Sequence, residues 1–444
     1  MKTLIPKILA VSIATACALP LAAHATNGYF LPGYGAASVG MGGVGVAFAQ
    51  DSLSAAANPA GIVDVGMRAD LGILIFNPVR SAAVGTASSS GQDAGFGFNG
   101  ESDSINKYYP MPSAGYVMPW SDKLSFGIAM VGNGGMNTTY QKNFYQLNGQ
   151  ASKTLGIDLM QLLMPITAAY KVDEHNAIGA SLVLGAQRFS ARGLQAFGLA
   201  GISSDPQHLT NNGHDFAQGA GVRVGWRGKF MDDRLTLGAT YASKVYMSRF
   251  AKYSGLFAGG GNFDVPANYA LGIAVKATPA MTVAFDVERI LYSGVPSVGN
   301  LGPGGTLGTA GVPAFLPPYF FGNGNPALKL GADNGMGFGW RDQTVFKLGM
   351  AYQYNSHWTL RTGFNYGKTP IRDDQLAFAT LAPATVEKHY TVGFTYSPDK
   401  NTEMTLAYLR AANHVQSNNN QNIVGGVDIQ MYQNDLEFSY GWKF

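Results

Sequence analysis

The sequence predicts an all-β fold, a 14-stranded antiparallel transmembrane β-barrel whose lumen is plugged by an N-terminal hatch. Three observations lead to this fold class. The 444-residue chain has few charged residues, 13% against about 25% in soluble domains, and many aromatic residues, 12%. Beyond the first residues, no run of about 20 apolar residues free of glycine offers a transmembrane helix. Short segments instead alternate apolar and polar side chains, and among membrane-spanning folds only helices and closed barrels satisfy every backbone polar group.

The first 25 residues are typical of a secretory signal peptide. Lys2 and Lys7 are positively charged, and the apolar stretch Ile8–Leu19 is too short to span a bilayer. Ala23–Ala25 reads Ala-His-Ala, a small-x-small cleavage site, and it predicts a mature start at Thr26. The protein is therefore expected to be exported and to lose this peptide.

Cys17 is the only cysteine, and it lies in the predicted signal peptide. The mature chain then has no cysteine, which excludes disulfide scaffolds and cysteine-based zinc sites. An alternative makes Cys17 a lipidated residue, although the sequence before it lacks the leucine usual at such sites. Loss of Lys2 and Lys7 leaves 28 basic and 27 acidic side chains, a net charge of +1, so no basic face for nucleic acid is indicated.

Residues 26–67 precede the first predicted strand and are expected to form the hatch. They are too rich in glycine for a stable helix and too apolar for an exposed linker. Asp51 is placed to cap a short helix over Ser52–Ala57. Pro59 ends that helix, and Asn58 is expected to be extended and to bond the backbone beyond the proline. The alternative interpretation is a generic Asn-Pro turn.

Residues 68–444 are predicted to form the barrel, which begins near Arg68. The clearest strand is Leu436–Phe444, where large apolar side chains alternate with Glu, Ser, Gly and Lys. Six short turns alternate with seven long loops, as in bacterial barrels with periplasmic turns and extracellular loops, and thirteen connections join fourteen strands. The short turns are predicted at 121–123, 173–176, 231–234, 278–280, 355–357 and 397–400, and the long loops near 81–110, 134–157, 191–216, 249–265, 294–340, 369–386 and 412–430.

Motifs of the N-terminal segment resemble those of a known family. They are the run Gly40-Met41-Gly42-Gly43, then Asp51, then Asn58-Pro59-Ala60. Together with the strand pattern they are similar to the FadL/TodX family of outer-membrane transporters for hydrophobic compounds. The similarity extends over the whole mature chain, from the hatch to the terminal Phe444.

The resemblance implies passive uptake across the bacterial outer membrane, of long-chain fatty acids or alternatively of monoaromatic hydrocarbons. The substrate is expected to occupy first an apolar groove among the extracellular loops and then an apolar pocket near the hatch N-terminus. A hatch movement then opens a path. The exit is expected to be lateral, through the barrel wall where the third strand kinks inward.

Four residues in the third predicted strand are candidates for this kink. They are Gly132, Asn133, Gly134 and Gly135. Three glycines in four residues weaken a strand and permit a bulge. The alternative is that the strand ends here and a loop begins.

Two apolar runs are candidates for the extracellular groove, because exposed apolar surface often marks a binding site. The first comprises Leu159, Met160, Leu162 and Leu163, and the second comprises Leu194, Phe197 and Leu199. The alternative for the first run is a lipid-facing strand, and for the second it is local packing within a loop. Arg188 and Arg192 are candidate partners for a substrate carboxylate, with surface solvation as the alternative.

No catalytic or metal-binding motif is found, so neither an enzyme nor a cofactor is expected. The expected partners are a hydrophobic small molecule, outer-membrane lipid, and the barrel-assembly machinery acting on Phe444, and the protein is expected to be monomeric. Two other classes remain as alternatives. An outer-membrane lipid hydrolase needs adjacent Ser and His on the outer wall, and a general porin needs an open lumen.

Overall fold

The computed structural model describes residues 27–89, 91, 98–146, 152–199, 201–303, 326–421 and 424–444. The predicted signal peptide and Thr26 lie outside the described residues. Within the described ranges, no helix combines the length and the hydropathy needed to cross a membrane.

The described residues form one antiparallel sheet of fourteen long strands that closes on itself, because the first strand pairs with the last. This confirms the predicted 14-stranded barrel. The strands are β1 (Arg68–Val84), β2 (Tyr109–Pro119), β3 (Leu124–Asn137), β4 (Gly156–Lys171), β5 (Asn176–Arg192), β6 (Asp215–Phe230), β7 (Leu235–Ala242), β8 (Asn268–Thr278), β9 (Met281–Ile290), β10 (Gln343–Gln353), β11 (Trp358–Gly367), β12 (Lys388–Tyr396), β13 (Thr402–Gln421) and β14 (Gly425–Lys443).

Two very short strands extend this sheet from the connecting segments. Gly100–Asp103 pairs with β1, and Tyr246–Met247 pairs with β6. Short helices occupy the N-terminal segment and the long loops. The α-helices are Ala36–Val39, Gln195–Leu199, Ala258–Gly261, Pro296–Gly299 and Leu376–Ala379, and the 3-10 helices are Ser52–Ala56, Pro59–Asp64, Gly85–Ala87, Pro206–His208, Ala251–Tyr253, Tyr292–Gly294, Pro326–Leu328 and Asp373–Gln375.

The predicted strand faces are confirmed by their burial. On β14, Leu436 and Phe438 are 46% and 42% exposed, whereas Glu437 between them is 4% exposed. Side chains of successive strand residues point to opposite faces, so the exposed apolar face is the outside and the buried face lines the lumen. On β6, Val222 and Val224 are likewise exposed.

One predicted loop is wrong. Residues 412–430 are not a long loop, because β13 continues to Gln421 and β14 begins at Gly425. The two strands stay paired up to Gln421 and Gly425, with register shifts between Ala411 and His414 and between Asn418 and Gln421. The segment is rich in Asn and Gln, and a spanning strand needs only about 9–11 residues. The backbone ladder nevertheless continues beyond that length, because backbone pairing does not depend on the polarity of the side chains.

Candidate functional site

The Asn-Pro-Ala motif joins the N-terminal segment (residues 27–67) to the barrel wall. Asp51 caps the 3-10 helix Ser52–Ala56, with the Leu53 amide donating to its carboxylate over 3.0 Å. Asn58 is extended and accepts from the Ala60 amide over 3.1 Å. Its side-chain amide also donates to the Val46 carbonyl (2.7 Å) and to the Trp226 carbonyl of β6 (3.0 Å). Asn58 therefore connects two turns of the segment to each other and to the wall.

This contact requires a glycine in the wall. A β-carbon at Gly225 of β6 would collide with the side-chain oxygen of Asn58 and approach Pro59 to 3.0 Å. Asn58 and Ala60 are almost completely buried here. Only a residue without a side chain lets the motif lie this close to the sheet.

Replacing Asn58 by alanine is expected to destabilise the protein by about 2–4 kcal/mol, because two carbonyl groups and one amide lose a buried hydrogen-bond partner. The free energy of unfolding from guanidinium titration of the refolded barrel measures this. Asn212→Ala is the control, since Asn212 also makes two hydrogen bonds but both are exposed to solvent, and about 0.5 kcal/mol or less is expected there. Equal losses in the two variants would contradict the anchoring role.

The middle of the N-terminal segment is bonded to strands on the other side of the barrel. The Gly42 amide donates to the Thr391 hydroxyl of β12 (2.9 Å), and the Asn365 side chain of β11 donates to the Gly42 carbonyl (3.2 Å). The Gly45 and Val46 amides both donate to the Asp286 carboxylate of β9, over 2.7 and 3.0 Å. Because it bonds to β6, β9, β11 and β12 on their lumen faces, this part of the segment lies within the bore.

A buried ionic cluster holds the segment near the end of the barrel where the short turns lie. Arg68 forms an ion pair with Asp70 at 2.5 Å and another with Glu403. The Ser52 amide and hydroxyl donate to Asp70 over 2.9 and 2.5 Å. Burial, and then the charge of Asp70, raises the pKa of Asp51 to about 7. Together with the hydrogen bonds above, this cluster anchors residues 36–64 at many points.

The N-terminal end of the segment contacts the wall differently, as a short added strand. The Leu31 amide donates to the Asn133 carbonyl (3.0 Å), and the Gly135 amide donates to the Tyr29 carbonyl (3.2 Å). Phe30 and Gly134 therefore pair as an antiparallel bridge. The Tyr34 hydroxyl also donates to the Asn133 side chain over 2.9 Å. The edge of β3 that receives these bonds is one that a neighbouring barrel strand would ordinarily occupy.

That edge is free because β2 and β3 separate. They pair from Pro119 and Ser125 only as far as Ala114 and Met130, although both strands continue. The register between β3 and β4 shifts between Gly132 and Gly134, which leaves Asn133 as an extra residue. Gly134 has a φ of 146°, which a residue with a side chain rarely adopts. The four glycine-rich residues of the sequence motif thus form a bulge beside a gap in the wall.

Two prolines that the sequence analysis overlooked explain the other side of the gap. Pro110 and Pro112 of β2 stay in register with Ile75 and Ile73 of β1. Since proline has no N–H, its missing donor must then lie on the edge that faces β3. β2 therefore cannot continue a regular ladder toward β3. The alternation of proline within "YPMP" was the sequence signal for this gap.

Aromatic side chains surround the inner end of the gap. The rings of Tyr29 and Tyr292 are 5.1 Å apart, and those of Tyr29 and Trp340 are 5.8 Å apart. Phe30 packs on Tyr292 at 5.9 Å, and Phe263 on Tyr29 at 6.1 Å. The Tyr29 amide donates to the Tyr292 hydroxyl over 3.2 Å. Burial raises the pKa of both tyrosines, so these rings form an uncharged cluster.

The first run predicted to line the groove lies in a strand and not in a loop. Leu159 and Leu163 of β4 are buried on the lumen face, whereas Met160 and Leu162 lie on the outer face. Because successive strand residues point in opposite directions, these four side chains cannot line one groove. The lipid-facing alternative describes Met160 and Leu162.

The second run lies in the loop after β5. Leu194 and Phe197 are buried, and Phe197 packs on Tyr145 at 5.2 Å and on Phe378 at 5.9 Å. The side chain of Leu199 lies outside the described residues. These contacts place Leu194 and Phe197 within the loop packing and away from the outer face.

Arg188 and Arg192 lie at the end of β5 on the outer face, opposite the buried Phe189 and Ala191. Arg188 forms an ion pair with Asp158 at 2.9 Å. The two arginines share a cavity with each other, but the wall separates them from the buried Leu194 and Phe197. The sequence could not show this, because the direction in which these two side chains point depends on how the end of β5 pairs with its neighbouring strands.

Comparison with known proteins agrees with this architecture. Residues 9–440 match the sequence profile of the family described as outer membrane protein transport protein (OMPP1/FadL/TodX). A long-chain fatty acid transport protein of Escherichia coli O6:H1 is 22% identical over 331 residues, which is 67% of this chain and 69% of that protein.

Solved structures show the same fold. The toluene transporter TodX of Pseudomonas putida has a TM-score of 0.65 at 21% identity, covering 93% of this chain and 99% of that one. A FadL homologue of Pseudomonas aeruginosa has a TM-score of 0.65 at 16% identity, covering 94% and 100%. The profile match spans nearly the whole chain, and the protein therefore belongs to the OMPP1/FadL/TodX family of outer membrane transport proteins.

Proposed function

We propose that the protein takes up hydrophobic small molecules passively and releases them sideways, between β2 and β3, into the outer membrane. The observation that carries the proposal is the ladder between β2 and β3, which stops beyond Ala114 and Met130. There the edge of β3 pairs with residues 29–31 and not with a barrel strand. A short added segment can leave this edge without unfolding the barrel. The resulting opening would connect the lumen with the lipid.

We propose that residues 26–67 act as a hatch with a fixed part and a mobile end. The fixed part is held through Asn58, through Asp286 and through the ion pairs of Arg68. The mobile end, residues 27–31, is held by a few backbone hydrogen bonds and by ring contacts. Segments with few anchoring bonds open at the lowest free-energy cost.

Lateral release fits the energetics of an apolar substrate. Each methylene group gains roughly 0.8 kcal/mol on leaving water. Release into the periplasm would lose this gain for every methylene group of the substrate, whereas release through the wall keeps the substrate in an apolar medium. No energy source is then required.

Long-chain fatty acids are the first candidate substrate, in line with the name of the Escherichia coli relative. Monoaromatic hydrocarbons are the second, in line with the name of the Pseudomonas putida transporter. The cluster of Tyr29, Phe30, Tyr292 and Trp340 favours the second, because small rings pack well edge-to-face against aromatic side chains.

Uptake of labelled oleate and labelled toluene by cells that express the protein tests the function. Expression is expected to raise uptake of at least one of them by about fivefold or more over cells with an empty vector, since entry otherwise requires crossing the polar outer leaflet. No increase for either compound would contradict the proposal. Phospholipid hydrolysis by the purified protein would instead support the lipid hydrolase.

Recognition of Phe444 by the barrel-assembly machinery, contact with outer-membrane lipid and a monomeric state stay predictions. Phe444 is 73% exposed, and its amide donates to the Met67 carbonyl over 3.0 Å. The terminal ring is therefore accessible from outside the barrel.

A further inference from the structure

A polar cavity lies on the outer surface of the wall, where β2–β5 reach the extracellular loops. Its volume is about 490 Å³. Its charged lining residues are Lys107, Asp158, Arg188 and Arg192, and Tyr108, Asn137 and Ser190 are among the uncharged ones. Three cations and one carboxylate give the cavity a formal net charge of +2.

The cavity lies at the upper border of the lipid-facing belt. Outward side chains are apolar up to Met160 on β4 and up to Ala186 on β5. The outward residues next along these strands are Asp158 and Arg188, and Met160 is the direct partner of Arg188 in the ladder. This transition from apolar to charged side chains marks the depth at which lipid head groups are found.

Both oxygens of the carboxylate in the cavity already have hydrogen-bond partners. Asp158 accepts from Asn137 (2.8 Å) and Arg188 (2.9 Å) and lies 3.3 Å from His214. Within the described ranges, no carboxylate forms an ion pair with Lys107 or Arg192. The Nε atom of Arg188 is buried and has no hydrogen-bond partner among the described residues. Donors in this cavity thus exceed the acceptors that the protein supplies.

We propose that this cavity binds the phosphate-bearing head group of a lipid in the outer leaflet. Arginine donates paired hydrogen bonds to phosphate oxygens, and basic pockets at the membrane surface are typical lipid head-group sites. The acyl chains of the lipid would then lie on the outer wall below, against Met160 and Leu162. The cavity borders the upper end of the gap between β2 and β3, since Pro110 and Asn137 also line it. Binding of a head group there does not depend on uptake.

A phosphate is favoured over the carboxylate of a substrate for two reasons. The wall separates Arg188 and Arg192 from the buried Leu194 and Phe197, so the cavity opens to the lipid and not to the loop interior. Its net charge of +2 also matches a phosphate group, which carries more than one negative charge near pH 7 when it is a monoester.

Binding of three lipids to the purified full-length barrel in detergent tests the site. The probes are a bisphosphorylated glycolipid, the same glycolipid after dephosphorylation, and oleate, each quantified by native mass spectrometry. The bisphosphorylated form is expected to bind about tenfold more tightly than the dephosphorylated form. In the variant Lys107→Gln/Arg192→Gln this preference is expected to fall by about tenfold, and the ion pair of Arg188 with Asp158 remains intact.

Arg289→Gln is the matched control. Arg289 is also an outward arginine near the end of a strand, paired with Asp342 at 3.4 Å, but it does not line the cavity. The Arg289→Gln variant is expected to retain the preference for the bisphosphorylated glycolipid. Heat-modifiable electrophoretic mobility reports whether each variant is folded. Equal binding of the two glycolipids, or wild-type binding by Lys107→Gln/Arg192→Gln, would overturn the proposal. If Lys107→Gln/Arg192→Gln alone lost oleate binding and kept its glycolipid binding, the cavity would be assigned to a carboxylate instead.

Discussion

A disulfide formed in the variant Tyr29→Cys/Gly135→Cys is expected to reduce uptake by at least about tenfold, because it fixes the N-terminal end of the hatch across the gap. The Gly135 amide donates to the Tyr29 carbonyl over 3.2 Å. Tyr29 and Gly135 flank the bridge between Phe30 and Gly134. Residues that face each other across antiparallel strands with such a hydrogen bond have Cα atoms about 5.5 Å apart, within the range that a disulfide spans. Uptake of the transported compound, measured before and after oxidation, gives the result.

The reduced form of the same variant is its own control. It lacks the cross-link but carries the same two substitutions, so loss of the Tyr29 ring affects both states equally. Cys17 is the only natural cysteine, and it precedes the predicted mature start, so no competing disulfide is expected. Undiminished uptake by the fully oxidised protein would contradict the lateral route, because that route requires residues 27–31 to move.

Gly363→Val is expected to turn the plugged barrel into a conducting pore. A β-carbon at Gly363 of β11 would collide with the backbone of Met41 and Gly42. Backbone atoms cannot rotate away as a flexible side chain can, so the middle of the hatch must leave the wall. Valine is favourable in strands, and the barrel itself is therefore expected to stay folded. Single-channel recordings in planar bilayers should show open events that the wild-type protein lacks.

Gly367→Val provides the comparison on the same strand and the same face. Its β-carbon would lie 3.1 Å from the Gln343 side chain, 3.2 Å from the Val345 side chain and 3.3 Å from the Thr344 carbonyl oxygen. The two side chains can adjust, and the backbone contact is about 1 Å longer than the shortest one at Gly363. Conductance close to that of the wild type is expected. Equal conductance of the Gly363→Val and Gly367→Val variants would show that contact between hatch and wall does not close the lumen.

Much of the barrel could be predicted because its determinants are local. Alternation along Leu436–Phe444 identifies both faces of a strand without reference to any other strand. The start of the barrel at Arg68 and the short turns also lie at, or within a few residues of, their predicted positions. The loop predicted at 412–430 was wrong because side-chain polarity alone does not reveal where backbone pairing ends.

The gap between β2 and β3 and the predicted groove were harder to predict, because they depend on which strands pair and in which register. Asn133 and its neighbouring glycines permit a bulge, but only pairing with β4 reveals the shifted register. Pro110 and Pro112 become informative once their partners on β1 are known. The four apolar residues from Leu159 to Leu163 were assigned to one groove, and strand geometry divides them between two faces.

By itself, the sequence determined the membrane-barrel class, most strand positions, and the turn in which Asp51 caps a short helix and Asn58 bonds the backbone beyond Pro59, since periodicity and capping act over a few residues. The second short helix, Pro59–Asp64, appears only in the structure. Only the tertiary structure decided that residues 27–31 complete the edge of β3, and that Arg188 and Arg192 face outward. Both depend on contacts between residues about a hundred positions apart or on the register of neighbouring strands, and such contacts leave no periodic trace in the chain.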